Sequence, residues 1–311
     1  RQQLAAFTAT HDISDGAGAT RINAESVTFD ETLQPYNITE RARGMVENMR
    51  GAASLVADVG WTRDALSATG TISTAGVSFA TATMPVVQDV RGAIYFDDLF
   101  TLTTPPGQSV TVGLINPGLA ARNGQIRFQL LPDQRVSIER AEFEFAGGVL
   151  AMAPTIVRLG EDETRIELTL SDVDAADLIA NLNVPDLAAT GRVEGSFPLR
   201  LTRQTAFIEG GVLRSQGAGG ILSYTGTAGE NVEGFSRVAF DALRRFNYDN
   251  LVLTLDGDLN GEVISSIEFS GRNSGRPVEL GDMTSIPGVG SVTVRGVPFD
   301  FNVRISAPFR S

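Results

Sequence analysis

Pro298-Phe299-Asp300-Phe301-Asn302-Val303-Arg304-Ile305 places an apolar residue at every second position, with Asp300, Asn302 and Arg304 between Phe299, Phe301, Val303 and Ile305. Successive side chains of an extended chain point to opposite faces, so this stretch reads as a strand with one wet and one apolar side. Working back along the chain, Ile126, Phe128 and Leu130 alternate with Arg127 and Gln129, and Phe143 and Phe145 alternate with Glu142 and Glu144. Ile166, Leu168 and Leu170 stand against Arg165, Glu167 and Thr169, while Val263, Ile267 and Phe269 share a side with Ser265, opposite Glu262, Ser266 and Glu268. A sheet built from such strands has a long apolar face that must be covered or used.

Turn-forming sequences punctuate these runs: Pro105-Pro106-Gly107, Asn116-Pro117-Gly118, Asn123-Gly124, Pro132-Asp133, Asp256-Gly257, Asn260-Gly261 and Pro287-Gly288. Gly and Asn supply the left-handed backbone and Pro the fixed φ that tight turns need, so the expected product is an antiparallel meander. Residues 22–29 and 68–85 read as further short strands. Three helices are expected. One spans residues 39–49, although Gly44 inside it costs about 1 kcal/mol relative to alanine. A second is opened by Ser171 and Asp174 and carries Val173, Ala176, Ile179 and Leu182 as a stripe that Pro185 ends. The third covers residues 231–246, with Val232, Phe235, Ala239, Leu243 and Phe246 at three- and four-residue intervals, acidic residues at its start and Arg244 and Arg245 at its end. The triplet Ala-Thr-Gly recurs at Ala68-Thr69-Gly70 and Ala189-Thr190-Gly191, suggesting two similar sheet segments.

The 311 residues, 42% of them hydrophobic, suffice for one large β-domain or two ordinary ones. All 25 basic residues are arginine, which removes a Walker A lysine, a Schiff-base lysine and a pyridoxal phosphate anchor. A net charge of −12 repels polyanions, so no nucleic-acid partner is expected and any lipid contact must be apolar. There is no cysteine, hence neither a disulfide framework nor a thiolate metal site. The chain starts at Arg1 and has no apolar run approaching the roughly 18 residues of a membrane span. It therefore reads as a piece excised from a longer protein whose signal or anchor lay upstream.

The motifs that invite a chemical reading have simpler explanations. Asp256, Asp258, Asn260 and Gly261 copy the start of a calcium-binding EF loop, but the position that needs a bidentate glutamate is Ile267, so a hairpin turn is expected. His11 is the single histidine, in a segment that reads as a surface loop, and one imidazole builds no multi-histidine metal centre. Glu142 with Glu144, and Glu161 with Glu163, resemble glycosidase carboxylate pairs, yet alternation makes the first pair the solvated side of a strand. The glycine clusters Gly147-Gly148, Gly217-Ala218-Gly219-Gly220 and Gly288-Val289-Gly290 fit no phosphate-binding spacing and mark bulges, turns or close backbone approach. Asn37-Ile38-Thr39 is a formal glycosylation sequon. No cofactor, metal or catalytic residue is expected.

From residue 92 to 154 and from 191 to 309 the chain resembles the C-terminal region of the YdbH family of bacterial envelope proteins. The resemblance is carried by Gly92-Ala93-Ile94-Tyr95-Phe96-Asp97-Asp98-Leu99, Pro106-Gly107-Gln108, Asn116-Pro117-Gly118, Phe145-Ala146-Gly147-Gly148 and Ala189-Thr190-Gly191-Arg192. Phe246-Asn247-Tyr248-Asp249, Leu253-Thr254-Leu255-Asp256-Gly257-Asp258 and Pro298-Phe299-Asp300-Phe301-Asn302-Val303-Arg304 continue it in order. Residues 1–85 match more weakly. The resemblance implies an AsmA-like, TamB- and YhdP-related bridge protein of the Gram-negative periplasm, anchored in the inner membrane by a segment upstream. It further implies a long curled sheet forming an open apolar groove, a role in moving phospholipid to the outer membrane, and strand addition by a YnbE-like outer-membrane lipoprotein.

The fold expected is therefore mainly β: one mostly antiparallel, curled sheet over residues 1–311, with two or three short helices and an open apolar groove. Phe128, Leu130, Phe143, Phe145, Leu168, Leu253, Leu255, Ile267 and Phe269 are the expected lining. Phe299, Phe301, Asn302, Val303 and Ile305 are expected on the partner-binding edge strand. Alternation alone also fits a structural or adhesive β-sandwich, solenoid or scaffold with no lipid cargo, because it reports one buried face and not what covers it. A carbohydrate-binding module or glycosidase needs exposed aromatics, and one tryptophan, Trp61, with four tyrosines is a thin supply.

Overall fold

The computed structural model describes residues 5–43, 46–81, 84, 86–116, 120–158, 161–182, 186–202, 205–226, 242–274, 278–280, 292–294, 296 and 298–308. The protein is mainly β, and 18 of its strands belong to one antiparallel sheet. The chain divides into two compact units: Arg1–Glu144 with Leu150–Leu168 and Leu199–Ala206, and Phe145–Val149 with Thr169–Pro198 and Phe207–Ser311.

In the first unit, strands β1 (Ala6–His11), β2 (Gly18–Phe29), β3 (Glu47–Trp61), β4 (Leu66–Ala80), β5 (Val87–Phe96), β6 (Gln108–Ile115), β7 (Ala121–Leu131) and β8 (Arg135–Phe145) form a meander, each antiparallel to the next. After β9 (Gly148–Met152), β10 (Thr155–Arg158) pairs with the other side of β8. The apolar positions line up across the ladder. Val27, Ala53, Thr74, Gly92, Val110, Ile126 and Ala141 form one row from β2 to β8, and Phe29, Gly51, Val77, Val90, Val112 and Gly124 form the next.

The turns of this unit hold themselves together through short side chains. Asp12 accepts hydrogen bonds from the Ser14 amide and hydroxyl at 2.8 and 2.6 Å, which keeps its carboxyl below the usual aspartate range. Asp133 and Gln134 both take positive φ, 60° and 58°, as a tight connection between right-twisted strands requires. Between β2 and β3 the buried Gln34 joins the connection to its strand: its Nε2 donates to the Met49 carbonyl at 2.9 Å and its Oε1 accepts from the Met49 amide at 2.9 Å.

The second unit contains part of β11 (Glu163–Asp174), helix α2 (Ala175–Leu182), β12 (Leu187–Ala189), part of β13 (Arg192–Thr202), β14 (Ala206–Ser215), β15 (Gly220–Tyr224), β16 (Phe246–Asp258), β17 (Glu262–Asn273), β18 (Val278–Leu280), β19 (Val292–Val294) and β20 (Pro298–Pro308). β16 pairs with β14 and β15 on one side and with β17 on the other, and β20 pairs with β17. β18 and β19 pair with each other as a separate two-stranded sheet. Among the described residues that hairpin is the one other sheet.

Several local expectations change. Residues 39–49 do not form one helix: α1 is Pro35–Ile38, a 3-10 turn follows at Glu40–Ala42, and β3 begins at Glu47. Pro35 suits the first helical turn, where its missing N–H costs nothing, and Thr39 at φ −141° ends the helix. The second helix starts at Ala175 rather than near Ser171, which is in β11; Asp174 caps it by accepting the Ala176 amide at 2.8 Å. Of the third, residues 231–241 lie outside the described residues, Ala242 and Leu243 are helical, and Phe246 is the first residue of β16.

Asn123-Gly124 and Asp256-Gly257 are not turns but parts of β7 and β16. Asn123, with φ 49°, sits where the β7–β8 register shifts, so a bulge uses the backbone freedom that a turn would have used. The Ala-Thr-Gly triplets also differ in setting: Ala68-Thr69-Gly70 is inside β4, whereas Ala189 ends β12. Ala146 and Gly147, both with positive φ, make the turn between β8 and β9.

Gly124 has a second duty. A Cβ built there would come within 2.0 Å of the Phe143 ring, so the ring lies over the glycine. Gly124→Ala should therefore destabilise the first unit by about 1–3 kcal/mol through overpacking, read as a lower urea midpoint at unchanged slope. Wild-type stability in this variant would show that Phe143 moves aside without cost.

Candidate functional site

The nine residues expected on the apolar lining fall into groups, one unit at a time. In the first unit Phe128 packs with Val110 and Val136, and Leu130, Val90, Ile94, Ile126, Ile138 and Val157 join it half-buried. Phe143 is buried over Gly124, and Leu168 is half-buried on β11. The opposite side of these strands is ionic. Arg127 Nε meets the half-buried Glu139 Oε2 at 2.9 Å, and Arg140 Nη2 meets Glu142 Oε1 at 2.8 Å in an exposed pair worth little to stability. Glu144 accepts from Asn123 Nδ2 at 2.7 Å, so Glu142 and Glu144 each serve a different neighbour on the wet side.

In the second unit Phe145 is buried at the end of β8. Leu253 lies opposite Ile267, which lies opposite Val303; Leu251, Phe269 and Phe301 form the neighbouring row; Leu255, Ser265 and Ile305 form the row on the other side. Sequence reasoning missed the centre of this group. Phe246 and Tyr248, 0% and 2% exposed, pack with Phe269 against Leu222, Leu243, Leu251, Ile267, Phe299 and Phe301. Phe269 stacks on Phe301 with centroids 4.7 Å apart, and Phe246 meets both edge-on at 5.4 and 5.3 Å, geometries that add to the burial of area. The signal was present as a change of parity: apolar residues are even at 246 and 248 and odd at 251, 253 and 255. A register shift between Tyr248 and Asn250 puts both sets on one face.

The Tyr248 hydroxyl donates to the Thr190 carbonyl at 2.6 Å. Burial, assisted by the Asp174 charge, pushes its phenol above the ordinary value of 10.0. The protonated form is thus favoured in the folded state, and its contribution is complete below pH 10 and is lost as pH rises through the higher folded value. Alkaline melts should show the second unit weakening above about pH 10, and Tyr248→Phe should remove that slope while costing about 1 kcal/mol at neutral pH. An unchanged alkaline slope in the variant would assign it to another group.

The other singled-out residues have local partners. His11 is the last residue of β1 rather than a loop residue, and its Nδ1 accepts the Trp61 indole N–H at 3.2 Å. Asp256 Oδ2 accepts the Gly210 amide at 3.0 Å and Asp258 Oδ1 the Asn260 amide at 2.9 Å, in a β16–β17 hairpin and not between helices. The expected edge strand is β20, in continuous register with β17 from Pro298 to Pro308. Phe299 and Phe301 are half-buried toward the aromatic cluster, and Asn302 donates from Nδ2 to Glu268 Oε1 at 3.2 Å. No helix among the described residues is long and apolar enough to cross a membrane.

Broad antiparallel strands with one side of Phe, Leu, Ile and Val and the other of Arg, Glu and Thr define a mainly β protein built on one large antiparallel sheet. The chain belongs to the YdbH-like family: the family model described as intermembrane phospholipid transport protein YdbH matches residues 2–311. That family is one of lipid transport and not of enzymes, and its transport lies between membranes, in the cell envelope. No curated protein and no solved structure matches the chain.

Proposed function

We propose that the apolar strand faces of this protein carry the acyl chains of phospholipid across the periplasm of a Gram-negative bacterium, as the distal part of a bridge between inner and outer membranes. The observation that supports the reading is the alignment of apolar residues in rows across successive strands, among them Val110, Ile126 and Ala141 in one unit and Leu253 and Ile267 in the other. An acyl chain held in water loses about 0.8 kcal/mol per methylene relative to an apolar surface, so a carrier requires an apolar lining and no chemistry. In the first unit Val112 and Ala141 are each 2% exposed, although every strand there belongs to one sheet. A single layer hides such residues when it curls around them, which favours a groove over a flat sheet.

The lining consists of Phe128, Leu130, Phe143, Phe145, Leu168, Leu253, Leu255 and Ile267, with Phe269 at its aromatic boundary. The protein is anchored to the inner membrane, and a YnbE-like outer-membrane lipoprotein adds a strand to the edge of β20 that no strand pairs with among the described residues, where backbone donors and acceptors offer a template. Lipid extraction and mass analysis of the purified protein tests the cargo. Phospholipid at a reproducible molar ratio is expected; a lipid-free protein with an intact sheet would make it a scaffold instead.

A further inference from the structure

We propose that the aromatic cluster around Phe246 is the end wall of the lipid-bearing face in the second unit, an inference that rests on the acyl-chain reading above. The rows of this face change character along β16. At one end Phe246, Tyr248, Phe269 and Phe301 fill the face with their own rings, and Leu243, from the helical turn just before β16, packs on them. Ala242 in the same turn is 0% exposed. Phe246, Tyr248 and Phe269 are 0%, 2% and 5% exposed and leave almost no apolar surface for a guest, and the half-buried Phe301 is stacked on Phe269.

Farther along, the large aromatic residues give way. Leu253 faces Ile267, Leu255 faces Ser265, and Gly257 faces Val263, with Leu253, Leu255 and Ile267 only half-buried. An acyl chain replaces water over the aliphatic rows and gains by it; over the aromatic rows Phe246, Tyr248 and Phe269 are already dry, so a chain enters only by displacing a ring. The boundary falls at the row of Leu251, Phe269 and Phe301, and it sets how far a chain advances toward the Phe246 end.

The test places the photoreactive residue p-benzoylphenylalanine at Leu253, Leu255 and Ile267 and, separately, at Phe299 and Phe301, each in the full-length protein in living cells. After irradiation, phospholipid crosslinks are expected at the three aliphatic positions and only background at the two aromatic ones. Phe269→Ala, which removes one ring of the wall, should raise crosslinking at position 299 from background toward the yield at position 255. If Phe269→Ala fails to accumulate, the contrast between positions 255 and 299 in the otherwise native protein still decides. Equal crosslinking at both sets would overturn the end wall and leave the lipid reading standing. Absence of crosslinks at all five positions would overturn the lipid reading, and the end wall with it.

Discussion

Aspartate at Leu130 and Leu255 together is expected to free the purified protein of phospholipid while its strands persist. Both leucines are half-buried, one in β7 beside Phe128 and Val136 and the other in β16 opposite Ser265. A carboxylate at either position stays hydrated while the face is empty, so the folded state tolerates it. A bound acyl chain would strip that water away. Burying even a neutral polar group without a partner costs roughly 2–7 kcal/mol, and an ionised carboxylate costs more, against about 0.8 kcal/mol gained per methylene, so each aspartate offsets several methylenes of binding. A loss of even about 3 kcal/mol lowers affinity by roughly a hundredfold. The control is Thr254→Asp, which adds the same charge at an exposed neighbour of Leu255 on the other side of β16. Lipid retained at the native ratio in a folded double variant would remove both leucines from the lipid path, and equal loss in the control would assign the effect to charge alone.

Half-buried residues are preferred for this test because the fully buried ones carry the fold. Phe143 is needed over Gly124, and Phe269 joins the Phe246 and Phe301 rings. A carboxylate at either would confound loss of lipid with loss of structure.

The strands that alternate large apolar with charged residues were legible in the sequence: β7, β8, β11, β17 and β20 all contain the runs that announced them. β3 was not. Its Gly51-Ala52-Ala53-Ser54-Leu55-Val56-Ala57 has small residues of weak strand preference, and pairing along both sides with β2 and β4 makes it a strand. The smallness has a use, since a Cβ at Gly51 would lie 2.4 Å from the Gly76 carbonyl oxygen. Asn-Gly and Asp-Gly report backbone freedom, and only the neighbouring strand decides between a turn and a bulge. For the site, the identity of the apolar residues was readable, but their grouping was not. The extra residue at Asp249 reverses the parity of β16, which joined Phe246 and Tyr248 to a cluster that alternation alone would have split.

Asn302→Pro is expected to abolish binding of the proposed lipoprotein partner while leaving the protein folded, and the reason lies in the two prolines of β20. The strand pairs with β17 without a register shift, from Pro298 opposite Arg272 to Pro308 opposite Glu262. Proline has no N–H to give a neighbour, so within a sheet its nitrogen belongs on the open side of an edge strand. Pro298 and Pro308 have the same parity as Asp300, Asn302, Arg304 and Ser306, whose amides therefore face away from β17. Among the described residues no strand pairs with that side. A proline at Asn302 deletes an outward donor in the middle of the edge and spares the ladder to β17; the exposed hydrogen bond to Glu268 is the remaining loss, about 1 kcal/mol. Strand addition depends on an unbroken row of main-chain bonds, so the break is far more damaging to the partner than to the fold. Val303→Pro supplies the contrast: its amide faces β17, and removing it should destabilise the unit by about 1–3 kcal/mol. Co-purification with the lipoprotein and thermal melts of both variants read the two effects separately. Native binding by a folded Asn302→Pro protein would move the partner off this edge, and a stable Val303→Pro beside an unstable Asn302→Pro would reverse which amides point outward.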